Sequence, residues 1–316
     1  PGVMTSDEIL STQKIPNSLV IIGGGVIGIE FAGIFNALGT QVTVVEFLPR
    51  ILANMDSEIS KKLALTLKKK GISIETDTKV MQISKDNEAF RVLTEGKKGG
   101  NEIHADAVLV SVGRAPSVEG LKLELLGIEY NRNGIKVDET YQTNVPGIYA
   151  IGDVIGGLML AHVAAEEGIA AVDHIMRSEG HMNYDAVPGC VFTFPEIAAV
   201  GLSEEDAKEE GIDYCSSKFL FGANGKALTS GEEEGFVKVL AETQTKRIIG
   251  VHIMGPHASD LIHEAVLAVE KKMTADDISS VIHAHPTLSE AFMEAALGIS
   301  NKAIHMLPKK KDRNAI

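Results

Sequence analysis

Short apolar runs alternate with amphipathic stretches along the first third of the chain. An apolar run at Ser18–Ile22 precedes several glycines, a stretch of helical periodicity that ends near Gly39, and a second apolar run at Val42–Val45. This order predicts a strand, a helix and a second strand of a buried parallel sheet. The same region predicts an amphipathic, lysine-rich helix at residues 56–70 and further strands at 72–76, 89–94 and 108–112.

The pattern changes after about Val187, where strands come first and helices follow, as in α+β domains. The strands are expected at residues 235–241 and 247–254, and the helices at residues 259–271, 275–282 and 288–298. We therefore divide the chain into residues 1–118 with a linker at 1–16, residues 119–187, and residues 188–316 with a charged tail from Pro308.

A glycine-rich turn joins the first strand to the first helix. Its sequence, Gly23-Gly24-Gly25-Val26-Ile27-Gly28, has the G-x-G-x-x-G spacing of dinucleotide-binding turns. The first glycine allows a tight turn, the second lets a pyrophosphate approach the backbone, and the third lets helix and strand pack closely. A strand before the turn, a helix after it and Glu46 at the end of the next strand make this signal far more specific than the motif alone.

Glu46 and Arg50 bear on which dinucleotide is expected. Glu46 is placed to accept hydrogen bonds from the adenosine ribose hydroxyls, and its charge would repel a 2′-phosphate. Arg50 could meet such a phosphate, but one arginine beside an acidic residue is more typical of a solvated loop charge. The sequence therefore predicts NAD rather than NADP.

A third apolar run, Gly147–Ile151, predicts a strand that ends at Gly152-Asp153. Met159-Leu160-Ala161-His162 and an alanine-rich helix ending near Arg177 follow it. An aspartate at the carboxyl end of a strand commonly binds a ligand hydroxyl. An aspartate after a glycine can equally start a turn, so the pattern leaves two interpretations of Asp153 open.

Near the C-terminus, His285 precedes a proline and lies five residues before Glu290. The proline favours an extended backbone at His285, and the apolar periodicity after Thr287 predicts a helix that ends at Gly298. A carboxylate that accepts from an imidazole N–H fixes its tautomer and raises its basicity, as general acid–base catalysis requires. Thr287 and Glu290 also have capping-box spacing, in which Glu290 would only satisfy helix N-terminal amides.

Composition excludes several classes of protein. The 316 residues include 30 Lys and Arg against 43 Asp and Glu, a net charge of −13, which argues against nucleic-acid partners. No apolar run reaches the ~18 residues of a membrane span and no signal peptide opens the chain, so we expect a cytoplasmic protein without a membrane partner. The two cysteines, Cys190 and Cys215, lack the spacing of a redox pair or a zinc site and are expected to be reduced. His252, His257 and His263 are expected to be ordinary histidines.

Four of these motifs, in this order, resemble the pyridine nucleotide–disulfide oxidoreductase family, and most closely its dihydrolipoamide dehydrogenase branch. They are the glycine turn with Glu46, the segment Val112-Gly113-Arg114-Ala115-Pro116, the Gly152-Asp153 segment, and the run from His283 to Glu290. The resemblance implies an α/β fold with a Rossmann-like NAD-binding domain, a remnant of an FAD domain, and a C-terminal α+β dimerisation domain. Glu46 and the run after Leu288 favour the lipoamide branch over glutathione-reductase-like relatives.

The resemblance also implies roles for individual residues. His285 would exchange protons with a redox-active thiol while Glu290 orients it, and the pair would complete the active site of the other subunit of a homodimer. Asp153 would bind the ribityl chain of FAD, and the Met159–His162 backbone would lie against the isoalloxazine. Gly113 belongs to the element that closes the NAD domain. Glu30 would lie near the nicotinamide, although a place early in a helix equally suits helix-dipole complementation. The substrate would be dihydrolipoamide or a lipoyl-bearing protein.

The family's flavin-binding half and its redox disulfide would precede this sequence, which opens at Pro1. We therefore expect a C-terminal fragment with half an FAD site that binds NAD(H), dimerises and has no lipoamide-dependent turnover alone. The alternative is a stand-alone NAD-binding dimeric module, which works without flavin or pairs with a separate N-terminal chain.

Overall fold

The computed structural model describes residues 3–86, 89–97, 99–177 and 180–306. The strands in these ranges are β1 (Val3–Met4), β2 (Ser18–Ile22), β3 (Gln41–Val45), β4 (Ser73–Glu75), β5 (Thr78–Asp86), β6 (Ala89–Gly96), β7 (Gly99–Ala105), β8 (Ala107–Val110), β9 (Tyr130–Asn131), β10 (Gly134–Ile135), β11 (Gly189–Val191), β12 (Glu196–Gly201), β13 (Tyr214–Leu220), β14 (Phe236–Glu242) and β15 (Ile248–Gly255). The α-helices are α1 (Ser6–Leu10), α2 (Val26–Ala37), α3 (Ser57–Lys69), α4 (Ala161–Ile175), α5 (Glu204–Glu209), α6 (Gly225–Ser230), α7 (Ala258–Glu270), α8 (Ala275–Ser280) and α9 (Glu290–Ile299). Pro1 and the tail from Pro308, which figured in the expectations above, lie outside the described residues.

The chain forms two compact units, one of residues 1–112 with 188–316 and the other of residues 113–187. The division into three segments at 118/119 and 187/188 stays a prediction. No helix in the described ranges is long and apolar enough to cross a membrane.

The glycine turn lies on a sheet of five parallel strands in the order β1-β8-β2-β3-β4. The predicted strand–helix–strand unit is confirmed as β2, α2 and β3. Because β2 and β3 are parallel neighbours, their carboxyl ends meet at one edge of the sheet. That edge brings Gly23 beside β3, where its N–H donates to Val45 O at 2.9 Å.

A three-stranded antiparallel sheet, β5-β6-β7, covers one face of the parallel sheet. Val20 and Val108 of the parallel strands are buried with Phe90 and Val92 of β6. The other face packs on α2 and α3 through apolar residues that include Ile29 and Leu63. Only β6 was predicted, at residues 89–94, because β5 and β7 carry too many polar residues to show an apolar run.

The C-terminal part of this unit is an antiparallel sheet in the order β11-β12-β15-β14-β13. Helices α7, α8 and α9 pack with it in one hydrophobic core, so the predicted order of strands and helices is confirmed. The last helix begins at Glu290, two residues later than predicted, and α8 ends at Ser280.

The parallel sheet and the C-terminal antiparallel sheet of this unit share buried contacts. Phe236 and Met254 of the antiparallel sheet belong to the same apolar cluster as Ile21 of β2. Lys238 on β14 also reaches Asp56, the N-cap of α3, and lies 2.6 Å from each carboxylate oxygen. Both side chains are almost fully buried, at 3 % and 1 % exposure.

The second unit contains the β9–β10 hairpin and α4. The strand predicted at Gly147–Ile151 is wrong. In the structure Tyr149 makes a single antiparallel bridge to Gln142, and a 3₁₀ turn at Gly152–Ile155 follows. The chain folds back tightly here, with Ala150 N–H bonded to Tyr141 O, so the pairing is too short to form a ladder.

Candidate functional site

The glycine turn between β2 and α2 is built by close backbone packing. Gly23 has a φ of +109°, and a Cβ there would lie 2.3 Å from Ser111 O. A Cβ on Gly28 would lie 2.0 Å from Gly23 O. Gly25 differs from both, because no heavy atom lies within 4 Å of its Cβ position. The first and third glycines therefore serve packing, and the second leaves open space in front of the turn.

The N-terminus of α2 opens onto that space without a capping side chain. Gly25 is the N-cap and the first turn holds no acidic residue. The backbone N–H groups of Val26, Ile27 and Gly28 begin the helix, so they have no partner within it. Unsatisfied N–H groups and the positive end of the helix dipole together favour a bound anion. The residues present fit the pyrophosphate of a dinucleotide.

Glu46 lies at the carboxyl end of β3 and is buried. One carboxylate oxygen accepts the N–H of Gly24 and the other accepts the N–H of Leu48 at 2.6 Å. The carboxylate thus fixes the glycine turn, a role the sequence did not suggest, and it retains acceptor lone pairs for ribose hydroxyls. Arg50 is not the solvated charge that was expected, since it is half-buried and its Nη2 donates to Ala53 O at 2.9 Å.

The position of Glu30 excludes one of the two roles expected for it. It stands in the second turn of α2, beyond the first turn where a carboxylate complements the helix dipole. Its Oε1 instead accepts the backbone N–H of Phe192 at 2.8 Å, just after β11. The interpretation as dipole complementation is therefore wrong, and the nicotinamide role stays a prediction.

Asp153 lies in the 3₁₀ turn that follows residues 147–151. Its Oδ2 lies 2.6 Å from Nη2 of Arg114, which follows Gly113, itself at a φ of +130°. The preceding residue, Gly152, donates its N–H to the buried Glu167 at 2.7 Å. Asp153 thus lies in a turn, close to one interpretation, but the turn begins at Gly152. A carboxylate with one oxygen on Arg114 keeps acceptor capacity for a ligand hydroxyl.

Glu167 was missed by the sequence analysis. Its Oε1 accepts the Tyr184 hydroxyl at 2.7 Å, and burial together with hydrogen bonds to Tyr141 and Glu167 raises the pKa of Tyr184. In the sequence, the only indication that Glu167 is buried was its place on the apolar side of an alanine-rich helix.

The segment Met159-Leu160-Ala161-His162 forms the start of α4. Leu160 is the N-cap, with an extended backbone and no side-chain cap, and α4 begins at Ala161. Met159 and Leu160 are half-buried, while Ala161 and His162 are exposed. The uncapped first turn offers backbone N–H donors, a second place where a negatively charged or carbonyl-bearing ligand fits.

His285 and Glu290 are brought together at the N-terminus of α9. His285 Nδ1 lies 2.9 Å from Glu290 Oε1, and the Thr287 N–H donates to Glu290 Oε2 at 2.9 Å. The expected capping box is not formed, because Ser289 is the N-cap of α9 and the Thr287 hydroxyl donates to Ala284 O. Glu290 still binds the Thr287 amide with one oxygen and His285 with the other. Burial raises the pKa of Glu290, but the Thr287 amide, the His285 ring and the charges of His285 and His305 outweigh it and lower that pKa overall.

The geometry suits an acid–base pair. The His285 side chain is 77 % exposed whereas Glu290 is 18 % exposed, so the carboxylate is anchored and the imidazole projects outward. An ionised carboxylate on Nδ1 leaves Nε2 as the nitrogen that exchanges a proton with a reactant.

His283 has a separate environment. Its buried ring lies between Val281 O and Glu264 Oε1, each 3.0 Å away. Both ring nitrogens of His283 thus have partners other than Glu290. Both cysteines are free, and burial, aided by the charges of Glu196 and Asp260, raises the pKa of the Cys190 thiol. Within the described ranges no cluster of three or more His, Cys, Asp or Glu side chains could hold a metal ion.

Comparisons with known proteins match nearly the whole chain. The sequence profile of the pyridine nucleotide-disulphide oxidoreductases matches residues 2–168. The profile of the dimerisation domain of pyridine nucleotide-disulphide oxidoreductases matches residues 187–296.

Curated relatives include dihydrolipoyl dehydrogenases. The chain is 46 % identical to the mitochondrial dihydrolipoyl dehydrogenase 2 of Arabidopsis thaliana, over 96 % of this chain and 61 % of that protein. It is 45 % identical to the mitochondrial dihydrolipoyl dehydrogenase of Pisum sativum over the same shares, and 45 % identical to a leghemoglobin reductase of Glycine max, over 95 % of this chain and 58 % of that protein. The chain thus spans about 60 % of the length of these relatives.

Solved structures of similar fold also cover nearly the whole chain. LpdA from Mycobacterium tuberculosis superposes with a TM-score of 0.86 at 29 % identity, covering 93 % of this chain and 64 % of LpdA. The HOCl-induced flavoprotein disulfide reductase RclA from Escherichia coli superposes with a TM-score of 0.86 at 29 % identity, covering 94 % of this chain and 68 % of RclA. With two matching domain profiles, the fold and the motifs in agreement, the chain belongs to the pyridine nucleotide-disulphide oxidoreductase family.

Proposed function

We propose that this chain is the NAD-binding, acid–base and dimer-forming portion of a dihydrolipoyl dehydrogenase, which oxidises dihydrolipoyl groups and reduces NAD⁺. The observation that carries the proposal is the contact of His285 with the anchored Glu290, because it supplies the proton acceptor that thiol oxidation needs. The relatives named dihydrolipoyl dehydrogenase support the choice of substrate.

The proposed steps at this pair concern only protons and thiolates. Nε2 of His285 takes a proton from a dithiol, because the thiolate and not the thiol attacks a disulfide. Glu290 stabilises the imidazolium that forms and keeps Nδ1 as the protonated nitrogen. The redox disulfide is not formed by Cys190 and Cys215, which are free and 25 residues apart in sequence. We place that disulfide, and the remaining FAD contacts, outside this sequence.

Cofactor binding follows from the two uncapped helix starts. Val26, Ile27 and Gly28 would hold the NAD pyrophosphate, Glu46 would accept ribose hydroxyls, and Glu30 would lie near the nicotinamide. Half of an FAD site would be formed in this chain. Asp153 would bind the ribityl chain of FAD, and the start of α4 at Met159–His162 would lie against the isoalloxazine ring. FAD when bound supplies electron transfer between the disulfide and NAD. The dimerisation-domain match supports a homodimer, and we keep the expectation of a cytoplasmic enzyme without nucleic-acid partners.

The first experiment is a fluorescence titration of the purified chain with NADH, paired with absorption spectra with and without added FAD. We expect NADH binding, no stable flavin band, and a dimer by analytical ultracentrifugation. We also expect no NAD⁺ reduction by dihydrolipoamide.

Failure to bind NADH would refute the nucleotide assignment. Lipoamide-dependent turnover by this chain alone would refute the assignment of the disulfide to residues outside it. A stable yellow protein would show that the half-site suffices for flavin, and would favour the stand-alone module. Reduction of glutathione disulfide would favour the glutathione-reductase-like alternative.

A further inference from the structure

The carboxylate of Glu167 on α4 reaches the segment that carries Asp153. Glu167 is only 3 % exposed, and its Oε2 accepts the N–H of Gly152 at 2.7 Å. Its Oε1 accepts the hydroxyl of Tyr184 at 2.7 Å. A buried carboxylate is tolerated when both of its oxygens have such donors. The flavin and NAD contacts proposed above leave this buried carboxylate without a role.

Gly152 opens the 3₁₀ turn in which Asp153 is the second residue. The first N–H groups of a helical turn have no acceptor within the turn. Ile151 is the N-cap here and provides no side-chain acceptor. The Glu167 carboxylate accepts the Gly152 N–H from a different helix, and so it takes the place of a capping side chain.

Small residues let α4 pack closely against this turn. Gly152 has a φ of +70°, and a Cβ there would lie 2.8 Å from Cβ of Ala164. One turn further along α4, a Cβ on Gly168 would lie 3.1 Å from Cδ1 of Ile151. Ala164, Glu167 and Gly168 have the spacing of residues on one face of a helix. This face of α4 therefore holds the start of the turn in place.

Tyr184 links Glu167 to the chain that precedes the turn. Its hydroxyl lies 3.2 Å from the hydroxyl of Tyr141, and Tyr141 O accepts the N–H of Ala150 at 3.0 Å. Burial, together with hydrogen bonds to Tyr141 and Glu167, raises the pKa of Tyr184, so its hydroxyl keeps the proton that it donates to Glu167. The contacts form a closed ring from Ala150 through the two tyrosines and Glu167 to Gly152.

The turn that carries Asp153 is thus held at both ends. At its start the Gly152 N–H meets Glu167, and at its end the Gly156 N–H donates to Asp153 O at 3.1 Å. Asp153 Oδ2 lies 2.6 Å from Nη2 of Arg114, a contact that leaves acceptor sites for a ligand hydroxyl. Loss of the contact with Glu167 would therefore move the carboxylate that the ligand meets.

We infer that Glu167 is a positioning residue of the flavin half-site, which fixes the direction of Asp153 through the Gly152 N–H. Tyr184 supports this role by holding the second carboxylate oxygen of Glu167. The inference rests on the proposed function, because the direction of Asp153 matters when its carboxylate binds the ribityl chain of FAD. The anchoring of the turn concerns this chain's own residues and is measurable without flavin.

The first test is amide hydrogen exchange of the purified chain by NMR. Labels of ¹⁵N-glycine and carbonyl-¹³C-isoleucine select glycines that follow an isoleucine, which include Gly152, Gly156 and, as an internal reference on β15, Gly250. E167M removes both acceptors and should make Gly152 and Gly156 exchange about tenfold faster. E167Q keeps one amide oxygen and should restore part of the protection. E166M changes an exposed neighbour on the same helix and should leave both rates unchanged.

The second test is the affinity for riboflavin, measured by the quenching of its fluorescence, because riboflavin carries the ribityl chain and the ring of FAD. E167M should weaken this reversible binding about tenfold, and E166M should not. In the D153A background E167M should cause no further loss, since Glu167 acts through Asp153. A purely structural effect of E167M would add to the effect of D153A.

Two results would overturn the inference. One is equal exchange rates in E167M and E166M, and the other is a loss of riboflavin affinity in E167M that persists in full in D153A. Faster exchange in E167M without riboflavin binding by the wild-type chain would refute the flavin half-site but support the anchoring of the turn. The failure of the proposed function can therefore be told apart from the failure of the inference.

If E167M does not fold, the tyrosine variants decide. Y184F removes one donor to Glu167 and should speed the exchange of Gly152 roughly threefold. Y149F is the matched control, because it removes a hydroxyl that binds Gln142 and should leave the exchange of Gly152 unchanged. Equal exchange rates in Y184F and Y149F would then overturn the inference.

Discussion

Lys238 on β14 and Asp56 at the start of α3 form a buried ion pair between the C-terminal antiparallel sheet and helix α3, with Nζ 2.6 Å from both carboxylate oxygens. Asp56 also caps α3 by accepting the Glu58 N–H at 3.0 Å. His252 lies directly across from Lys238 on β15; it is buried, and its pKa is lowered by that burial. The pair therefore sits in surroundings that cannot solvate a lone charge.

We predict that D56N destabilises the chain by about 3–5 kcal/mol, because it removes the closest counter-ion of a buried ammonium and leaves it only the more distant carboxylates of Glu58, at 3.4 Å, and Glu204, at 3.9 Å. Asparagine keeps the cap of α3, so the loss reports the ion pair and not the helix start. Urea unfolding followed by circular dichroism measures it. The double variant D56N/K238M should recover part of the loss, and K302Q, which breaks an exposed pair with Asp276, should change stability by less than about 1 kcal/mol. A D56N effect as small as that of K302Q would contradict the prediction.

The Asp56–Lys238 ion pair should also make the stability of the fold depend on pH. Burial raises the pKa of Asp56, but Lys238 and the charge of His252 outweigh it, so the pKa lies below its ordinary value of 3.8. A carboxyl whose pKa is lowered by folding stabilises the fold above its unfolded-state pKa and loses that contribution as pH falls through the folded-state value. The stability difference between wild type and D56N should therefore be constant near neutral pH and shrink below about pH 4. A difference that is unchanged down to about pH 2.5 would contradict this assignment.

Two glycines of the turn, Gly25 and Gly28, should separate binding from stability. G25A places its methyl group in open space, so we expect weaker NADH binding with a stability loss of about 1 kcal/mol or less. G28A places a methyl group 2.0 Å from Gly23 O and should destabilise the fold severely. G33A, in the middle of α2 with no atom within 4 Å, is the matched control and should stabilise by about 0.5–1 kcal/mol. Fluorescence titration measures the NADH affinity of the three variants, and urea unfolding measures their stability. Full NADH affinity in G25A would refute the assignment of the space in front of Gly25 to the dinucleotide.

Glu46 should set the preference between dinucleotides. E46Q removes the charge that repels a 2′-phosphate, and its single amide oxygen can accept one of the two backbone N–H groups that Glu46 binds. The ratio of the NADPH Kd to the NADH Kd should fall, by about tenfold for each 1.4 kcal/mol of repulsion removed. The ratio is the appropriate measure, because any loosening of the Gly24 and Leu48 contacts affects both ligands alike. R50Q is the control and should leave the ratio unchanged, since Arg50 donates to backbone carbonyls.

The local parts of the fold and site could be predicted because their causes lie within a few residues. The glycine turn needs no distant partner to be recognised, and both contacts of Glu290 come from residues three and five positions before it. The helix start was misplaced by two residues because Thr287 has a capping pattern but its hydroxyl donates to Ala284 O instead.

The contacts that the sequence could not predict join residues far apart in the chain. Lys238 and Asp56 are 182 residues apart, and Glu30 and Phe192 are 162 apart, so no local pattern marks either pair. The strand prediction at Gly147–Ile151 was wrong for the opposite reason. Its composition suits a strand, but a strand needs a neighbour over several residues, and in the described part of this unit only Gln142 bridges it.

The shared apolar cluster of the larger unit has a consequence for synthesis. Strand β2 and helices α2 and α3 emerge early, yet their cluster includes Ile197, Phe236 and Met254. The intervening unit of residues 113–187 separates these parts, so a long loop must close before the cluster is complete. When the glycine turn has just left the ribosome, the nascent chain therefore exposes an apolar face. This face stays uncovered until residue 254 has left the exit tunnel. The chain depends during that interval on protection from aggregation.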